Sequence, residues 1–431
     1  VDKKKFLFVS LDALISDIAW QVVKEGHKVK YYIEDKKLKD IANGFVPKTQ
    51  DWRKEIDWAD VIVFDDVLGQ GKKAKKLRDN GKLVIGGTPY TDKLEDDRSF
   101  GQEELKKHKV NILPYKEFRY FDDAIKYVKK HPAQYVIKPS GEAQNIKRLL
   151  FVGQEEGGKD VLRVLEAYRK TWSEEVKRFQ LQKKVESGVE IAVGAFFNGH
   201  EFIYPININF EHKKLFPGDL GVSTGEMGTS MFWSNPNKLF NCTLKKMEAT
   251  LRKEHYVGYI DLNCIVNGYG IYPLEFTCRF GYPTISIQQT SMLTPIGEFL
   301  FRLANGESFS FKVKSGFHLG TRIVVPPFPY TDKKTFLTFS KNNAIIFKKP
   351  QYEGVHLEDV KLKKGEWTIT GTGGVILIIA ASGQTMKQAQ TQLRNRIRNI
   401  IIPNMYYRID IGDRWYEDSD KLHSWGYLRE V

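Results

Sequence analysis

The first ninety residues alternate between short apolar runs and amphipathic stretches. "KKFLFVSL", "HKVKYYIE", "DVIVFDD" and "KLVIGG" read as strands; Ala13 to Lys24 and "GKKAKKLRDNG" read as the helices between them. That alternation predicts a parallel sheet covered by helices, so residues 1–92 are expected to form a small doubly wound domain. Beyond it the pattern changes. "TDKLEDDRSFGQEELKKH" reads as one long helix, "DDAIKYVKKH" as another, and "YVIKPS" and "RLLFVG" as short strands. A helix from Asp160 to Phe179 leads into "FQLQKKVESGVEIAVGAFFNGHEFIYPININF", nearly continuous strand with a turn at Asn198 and Gly199. After the helix "TLKKMEATLRKE", the strands "GYIDLNCIVNG" and "GIYPLEFTCRF" pair across an Asn-Gly turn. From Gly306 onward strands dominate, until a last helix from Thr385 to Arg398 and an aromatic, charged tail. "FPGDLGVSTGEMGTSMFW" has glycines at 218, 221, 225 and 228, which predicts a loop whose backbone comes close to a ligand.

A chain of 431 residues exceeds one core, and 41% hydrophobic with 28% charged residues is a globular composition. The three cysteines (Cys242, Cys264, Cys278) are far apart without CxxC spacing, so neither a disulfide framework nor a zinc site is expected, and a cytoplasmic location with reduced thiols is. "VDKKKFLFVSLD" reads as a first strand, not as a signal peptide, and "GGVILIIAAS" as a buried strand too short for a membrane span. The net charge of +14 admits a nucleic-acid partner. The lysines, however, come in scattered short groups without interleaved aromatics, which argues against a nucleic-acid groove; a small anionic substrate explains the charge as well.

Three features carry chemistry. Lys138 ends the buried strand "YVIKPS", where an ammonium either meets an anion or snorkels to water. Glu275 lies on the strand paired with the one that carries Asp261, so two carboxylates side by side are expected to hold a hard cation; Arg279, four residues on, either serves an anion or pairs with Glu275. The glycine-rich stretch with His212, Lys213, Lys214 and Asp219 suits an anionic substrate held by backbone N–H groups, and equally a surface hairpin.

Together these segments resemble the ATP-grasp ligases, of the glycinamide ribonucleotide synthetase type. The resemblance rests on "VIGGTPYTDKLEDDRSF" and "YVIKPSG", on "FEHKKLFPGDLGVSTGEMGT" beside the family's DHKR and GDTGPNTGGMG, on "PLEFTCRFGYP" beside EFNCRFGDP, and on the ending "NMYYRIDIGDR". It implies an α/β chain with the ATP-grasp fold: an N-terminal doubly wound domain (1–92), an ATP-grasp domain (93–312) with a lid at about 113–182, and a β-rich C-terminal domain (313–431). It implies an enzyme that joins glycine to phosphoribosylamine through an acyl phosphate in purine biosynthesis, with ATP and Mg²⁺ or Mn²⁺, small-molecule substrates, and a monomeric or homodimeric state. By the same resemblance Arg98, Lys138, Lys147, Lys183, Lys184, Val185 and Glu190 would bind nucleotide. His212, Lys214, Asp219, Thr224, Gly225 and Met227 would bind substrate, Asp261 and Glu275 the metal, and Arg279 would be catalytic.

The departures are local. "SLDALISDIAW" replaces a glycine-rich phosphate grip, "GEAQNIKRLL" replaces the lid sequence GLAAGKGV, and Thr277 stands where the family has a metal-binding Asn. They leave two further readings: a divergent ligase with another amino acid and amine, and a nucleotide-binding paralogue without catalysis.

Overall fold

The computed structural model describes residues 2–430, apart from 141, 142, 144, 145, 147 and 148. Near the N-terminus β1 (Lys5–Ser10), β2 (Lys28–Ile33), β3 (Val61–Phe64) and β4 (Leu83–Ile85) form a parallel sheet in the order β2-β1-β3-β4. All four residues of β3 are buried, as befits a sheet covered on both faces. The first helix is shorter than expected, Ser16–Lys24, because the chain before it turns through Ala13 at φ +64°.

The expected long helix after residue 88 is two helices, Pro89–Asp96 and Arg98–Lys107. Asp97 leaves helical geometry (φ −116°, ψ 93°) and its side chain accepts from the Phe100 N–H, so one residue ends the first helix and caps the second. The helix expected at 160–179 spans Lys159–Thr171; Phe179 already belongs to a strand. The tail adds a helix that was not foreseen, Arg414–Ser424.

A small antiparallel sheet follows, β5 (Tyr115–Phe118), β6 (Tyr135–Pro139), β7 (Phe151–Val152) and β8 (Phe179–Lys183), in the order β5-β8-β6-β7. Its two helices, Phe121–Lys130 and Lys159–Thr171, share one apolar cluster with it, in which Phe121 stacks on Phe179 at 4.7 Å. The central sheet has eight strands. It combines β9 (Val189–Asn198), β10 (Phe202–Phe216), β11 (Leu220–Ser234), β12 (Val257–Asn267), β13 (Gly270–Thr277), β14 (Phe317–Val324), β16 (Val355–Leu357) and β19 (Val375–Gly383), in the order β13-β12-β9-β10-β11-β14-β19-β16. Strands from beyond residue 312 thus extend the same sheet. Short ribbons pair β15 (Ile346–Phe347) with β20 (Ile400–Ile401), and β17 (Val360–Lys363) with β18 (Glu366–Ile369).

The glycine-rich stretch is mostly ladder. β10 and β11 form a long hairpin with its tip at Pro217–Asp219. The ladder is interrupted where His212 pairs with Gly228 but Lys214 with Ser223, so residues 224–227 bulge from β11 around Gly225 at φ +87°. The N-terminal domain is tied to the far edge of the central sheet: buried Asp17 accepts from the Leu357 N–H at 3.1 Å and pairs with His356 at 2.6 Å. No described helix is long and apolar enough to cross a membrane. All three cysteines are free, Cys264 and Cys278 buried and Cys242 half-buried.

Candidate functional site

β10 reads "NINFEHKK", and its period of two decides what faces what. Ile206, Ile208 and Phe210 enter the apolar core. Asn207, Asn209, Glu211 and Lys213 alternate with them on the other face. Ladder partners share a face, and pairing carries this polar stripe across the sheet: Asn209 opposes Ala192, Ala192 opposes Asn263, and Asn263 opposes Glu275. Asp261 lies two residues along from Asn263, opposite Thr277. The outcome is a row of acids and amides in the middle of an otherwise apolar sheet.

Lys213 is the hub of that row. Its Nζ lies 2.7 Å from Glu190, 3.2 Å from Glu211 and 3.6 Å from Glu275. Asn263 Nδ2 donates to Glu190 at 2.9 Å and to Glu211 at 3.3 Å. Burial alone would lower the lysine pKa, but the three carboxylates outweigh it and raise it well above the ordinary value. Burial likewise works to raise Glu190, and Lys213 with Arg414 overcomes it, holding the carboxylate down to about 2.

Two cavities meet at Lys213, Gly225 and Glu275. One, of about 300 Å³, lies between the small sheet and the central sheet. Val136, Val152, Ile265 and Leu274 give it apolar walls, while Arg98, Lys138, Lys183, Lys184 and Glu190 stand around them. Lys138 is 6% exposed, and its Nζ donates to Gln182 Oε1 at 2.6 Å. Burial and then the Arg98 charge draw its pKa down to about 7, with Glu275 and Glu190 working the other way. Arg98 Nη2 reaches Glu275 Oε2 at 3.3 Å.

The second cavity, of about 320 Å³, is polar and acidic, lined by six carboxylates and three basic side chains, in a chain whose net charge is +14. Asp261 Oδ2 accepts from Asn209 at 2.9 Å and from the Tyr259 hydroxyl at 3.1 Å. Burial, then Glu211, push Asp261 well above the usual carboxylate range, and the same two causes act on Glu226. Arg279 answers the question left open by spacing, because its guanidinium pairs with Glu95 at 3.0 Å and Asp66 at 3.5 Å while Glu275 turns to Arg98 and Lys213.

The placement of the expected residues divides sharply. Arg98, Lys138, Lys183, Lys184, Val185 and Glu190 line the apolar cavity; Asp261, Glu275 and Arg279 line the acidic one; Gly225 lines both. Asp261 and Glu275 are diagonal neighbours and not the ladder pair that the hairpin suggested, since the expected turn leaves Thr277 opposite Asp261. Both, with Thr277, offer oxygen to one cavity, a donor set that suits a hard cation completed by phosphates and water. Among the described residues no three His, Cys, Asp or Glu side chains form a metal-holding group. Lys147 lies outside the described residues.

Five residues expected at a substrate pocket line neither cavity. His212 and Lys214 occupy the alternate positions of β10, opposite in parity to Glu211 and Lys213. His212 is buried with no hydrogen-bond partner at either ring nitrogen, and burial followed by Arg414 and Arg408 draws its pKa down to about 4. Asp219 sits at the hairpin tip, 3.0 Å from Arg408. Thr224 donates to the Lys213 carbonyl at 3.0 Å, and Met227 packs with Leu215 and Val324. The sequence reading named Lys213 only among the charges of the glycine-rich stretch, and it missed Glu211, Glu226, Glu95, Asp96 and Arg322. The polar alternation at 207, 209, 211 and 213 in a strand with an apolar other face was the signal for Glu211 and Lys213. Nothing local marked the others, which arrive from separate elements.

Known proteins share this architecture. Residues 96–285 match the family described as phosphoribosylglycinamide synthetase, ATP-grasp (A) domain. The phosphoribosylamine–glycine ligase of Listeria monocytogenes is 24% identical over 378 residues, covering 84% of this chain and 86% of that protein. The ligase of the same name from Streptococcus pneumoniae is 24% identical over 389 residues, covering 88% and 87%. Among solved structures, phosphoribosylamine–glycine ligase of Thermotoga maritima superimposes with a TM-score of 0.69 at 19% identity over 94% of this chain and all of that one. Biotin carboxylase of Campylobacter jejuni, in complex with β-γ-ATP, gives 0.66 at 14% identity over 99% of this chain and 98% of that one. The family match over residues 96–285, the relatives along most of the chain and the shared fold support a C–N bond-forming ligase with the ATP-grasp fold, similar to the phosphoribosylamine–glycine ligases.

Proposed function

We propose that the protein uses ATP to activate a carboxylate as an acyl phosphate and passes the acyl group to an amine, with glycine and phosphoribosylamine the pair implied by the relatives' name. The observation that carries this reading is the junction of an apolar cavity rimmed by cations with a carboxylate-lined one. An adenine ring fits apolar walls, and its phosphates would then extend toward Glu275. In this reading Lys138 and Arg98 receive the phosphates, the backbone of Lys183–Val185 meets the adenine edge, and Glu190 the ribose. Asp261 and Glu275 would hold Mg²⁺, which neutralises phosphate charge when bound.

The chemistry closes without a covalent enzyme intermediate. The substrate carboxylate attacks the γ-phosphorus and ADP leaves; the neutral amine attacks the acyl carbon, inorganic phosphate leaves, and the nitrogen gives up one proton. The protein's part is positioning and charge balance. Arg279, held by Glu95 and Asp66 at the acidic cavity, would steady the transferring phosphoryl group. A second reading, with a different amine, is favoured by the surplus of carboxylates in that cavity.

The test is ADP release with ATP, Mg²⁺ and glycine, with and without phosphoribosylamine generated in situ, product mass being read in parallel. Glycinamide ribonucleotide formed with ADP supports the first pair, and amide formation from another pair in a panel supports the second. Absence of ADP release across the panel, with no rise in Tm on adding MgATP, would sink the ligase reading.

A further inference from the structure

We propose that Arg414, in the C-terminal tail, is a positioning residue for the nucleotide: from the apolar side of the sheet it fixes the spacing of Glu190 and Glu211, and so presents the Glu190 carboxylate to the ribose. The proposal rests on the ligase reading above, in which Glu190 meets that ribose. Arg414 itself lines neither cavity, so it acts through another residue.

The geometry is a fork across two strands. The ladder between β9 and β10 runs to Asn209 opposite Ala192. Continued by two residues, the same register sets Glu211 opposite Glu190. There Arg414 Nη1 donates to the Glu211 carbonyl at 3.0 Å and Nη2 to the Glu190 carbonyl at 2.9 Å. A planar guanidinium holds two acceptors at a set separation, which a lysine ammonium does not. The side chains of the same two residues are those that Lys213 Nζ bridges, at 2.7 Å and 3.2 Å, and that Asn263 Nδ2 joins, at 2.9 Å and 3.3 Å. One pair of residues is thus pinned twice, by its carbonyls and by its carboxylates. Against burial, Lys213 and then Arg414 also keep Glu190 ionised.

Arg414 starts from a fixed base. The tail runs along β10 and its hairpin: Arg408 Nη1 donates to the Lys214 carbonyl at 2.9 Å and pairs with Asp219 at 3.0 Å, and Asp410 accepts from the Gly218 N–H at 2.9 Å. Gln390 Nε2 donates to the Ile411 carbonyl at 3.0 Å and to Asp413 at 2.7 Å, which holds the turn before the helix Arg414–Ser424. Trp415 packs on Phe210 and Phe317, with ring centroids at 5.7 Å and 5.1 Å, so the helix begins on the apolar face of β10. Asp418, one turn on, lies 3.7 Å from Arg414 Nε. A fork held this way has little freedom left to lose when the nucleotide binds.

Isothermal titration of the full chain with MgATP, and with the dideoxyribose analogue that lacks both ribose hydroxyls, tests this. The parent is expected to prefer MgATP by about tenfold, the scale of a hydrogen bond to a charged group. Arg414→Met should lose about five- to tenfold for MgATP and less than about twofold for the analogue, and it should add less than about twofold to the loss seen in Glu190→Gln. Arg414→Lys keeps the charge but replaces the two-nitrogen fork by one nitrogen; it should shift in the same direction by less, and it carries the test if Arg414→Met does not fold. Equal losses for both nucleotides, or losses that add to those of Glu190→Gln, would make Arg414 a stabilising contact only and overturn the proposal. Unchanged affinity for both overturns it as well. A parent that binds the two nucleotides equally well removes the ribose assignment and the proposal with it, whereas a parent that binds neither removes the nucleotide reading as a whole.

Discussion

Lys138 in the apolar cavity and Lys213 where that cavity meets the acidic one are in opposite electrostatic states. Lys138, on the small sheet, is nearly sealed and has an amide oxygen for a partner; burial leaves its pKa at about 7. Lys213, on the central sheet, is more open, yet Glu190, Glu211 and Glu275 surround it and lift its pKa well above the ordinary value. The difference separates an ammonium that waits for an anion from one whose anions are built in. Burial of a charge by itself does not say which.

Breaking the second lysine should have the larger effect. Lys213→Met leaves three carboxylates facing one another and is expected to destabilise the fold by about 2–3 kcal/mol, given that the side chain is partly exposed, as read by urea unfolding. An unchanged midpoint would mean that the trio is screened by water. Lys138→Met should leave stability the same or higher, because it removes a buried charge without an ionic partner. MgATP affinity, by isothermal titration, should fall by about 10- to 100-fold, the scale of a charge-assisted hydrogen bond.

The pH dependence sharpens the contrast. The folded-state pKa of Lys138 is depressed to about 7, so the free protein has the ammonium ready below that pH and must bind a proton to accept phosphate above it. MgATP affinity is therefore expected to be flat below pH 7 and to fall by up to about tenfold per unit above it, a slope that should vanish in Lys138→Met. A slope of equal size in the variant would assign the titration elsewhere. The smallest effect is expected at Lys214→Ala, less than about twofold in turnover, because alternation along β10 turns this residue away from both cavities. A tenfold loss there would mean that the hairpin closes differently in the working enzyme.

Legibility in the sequence followed the locality of the signal. The alternating patterns of the first ninety residues gave the parallel sheet, and "YVIKPS" placed Lys138 near the end of a buried strand. The break at Asp97 escaped notice because the amphipathic pattern continues through it, and only the cap to Phe100 reveals two helices. The glycines of "FPGDLGVSTGEMGTSMFW" suggested an open loop. Their effect is a bulge in a ladder, since glycine also permits the left-handed residue that a bulge needs. The family resemblance implied a substrate role for Lys214, whereas the burial of Phe210 sets the parity of β10 that turns Lys213 to the cavities.

The sequence by itself determined the class of fold, the order of its segments and the residue types from which a phosphate-handling site is assembled, because these follow from periodicity and from motifs contiguous in the chain. Only the tertiary structure decided which carboxylate neutralises which cation. Arg279 pairs with Glu95 and Asp66 across more than 180 residues of chain, and Lys213 gathers acids from three strands, so the charge balance of each cavity depends on ladder register and domain packing. That balance, more than any one motif, distinguishes a lysine that waits for an anion from one whose anions are built in.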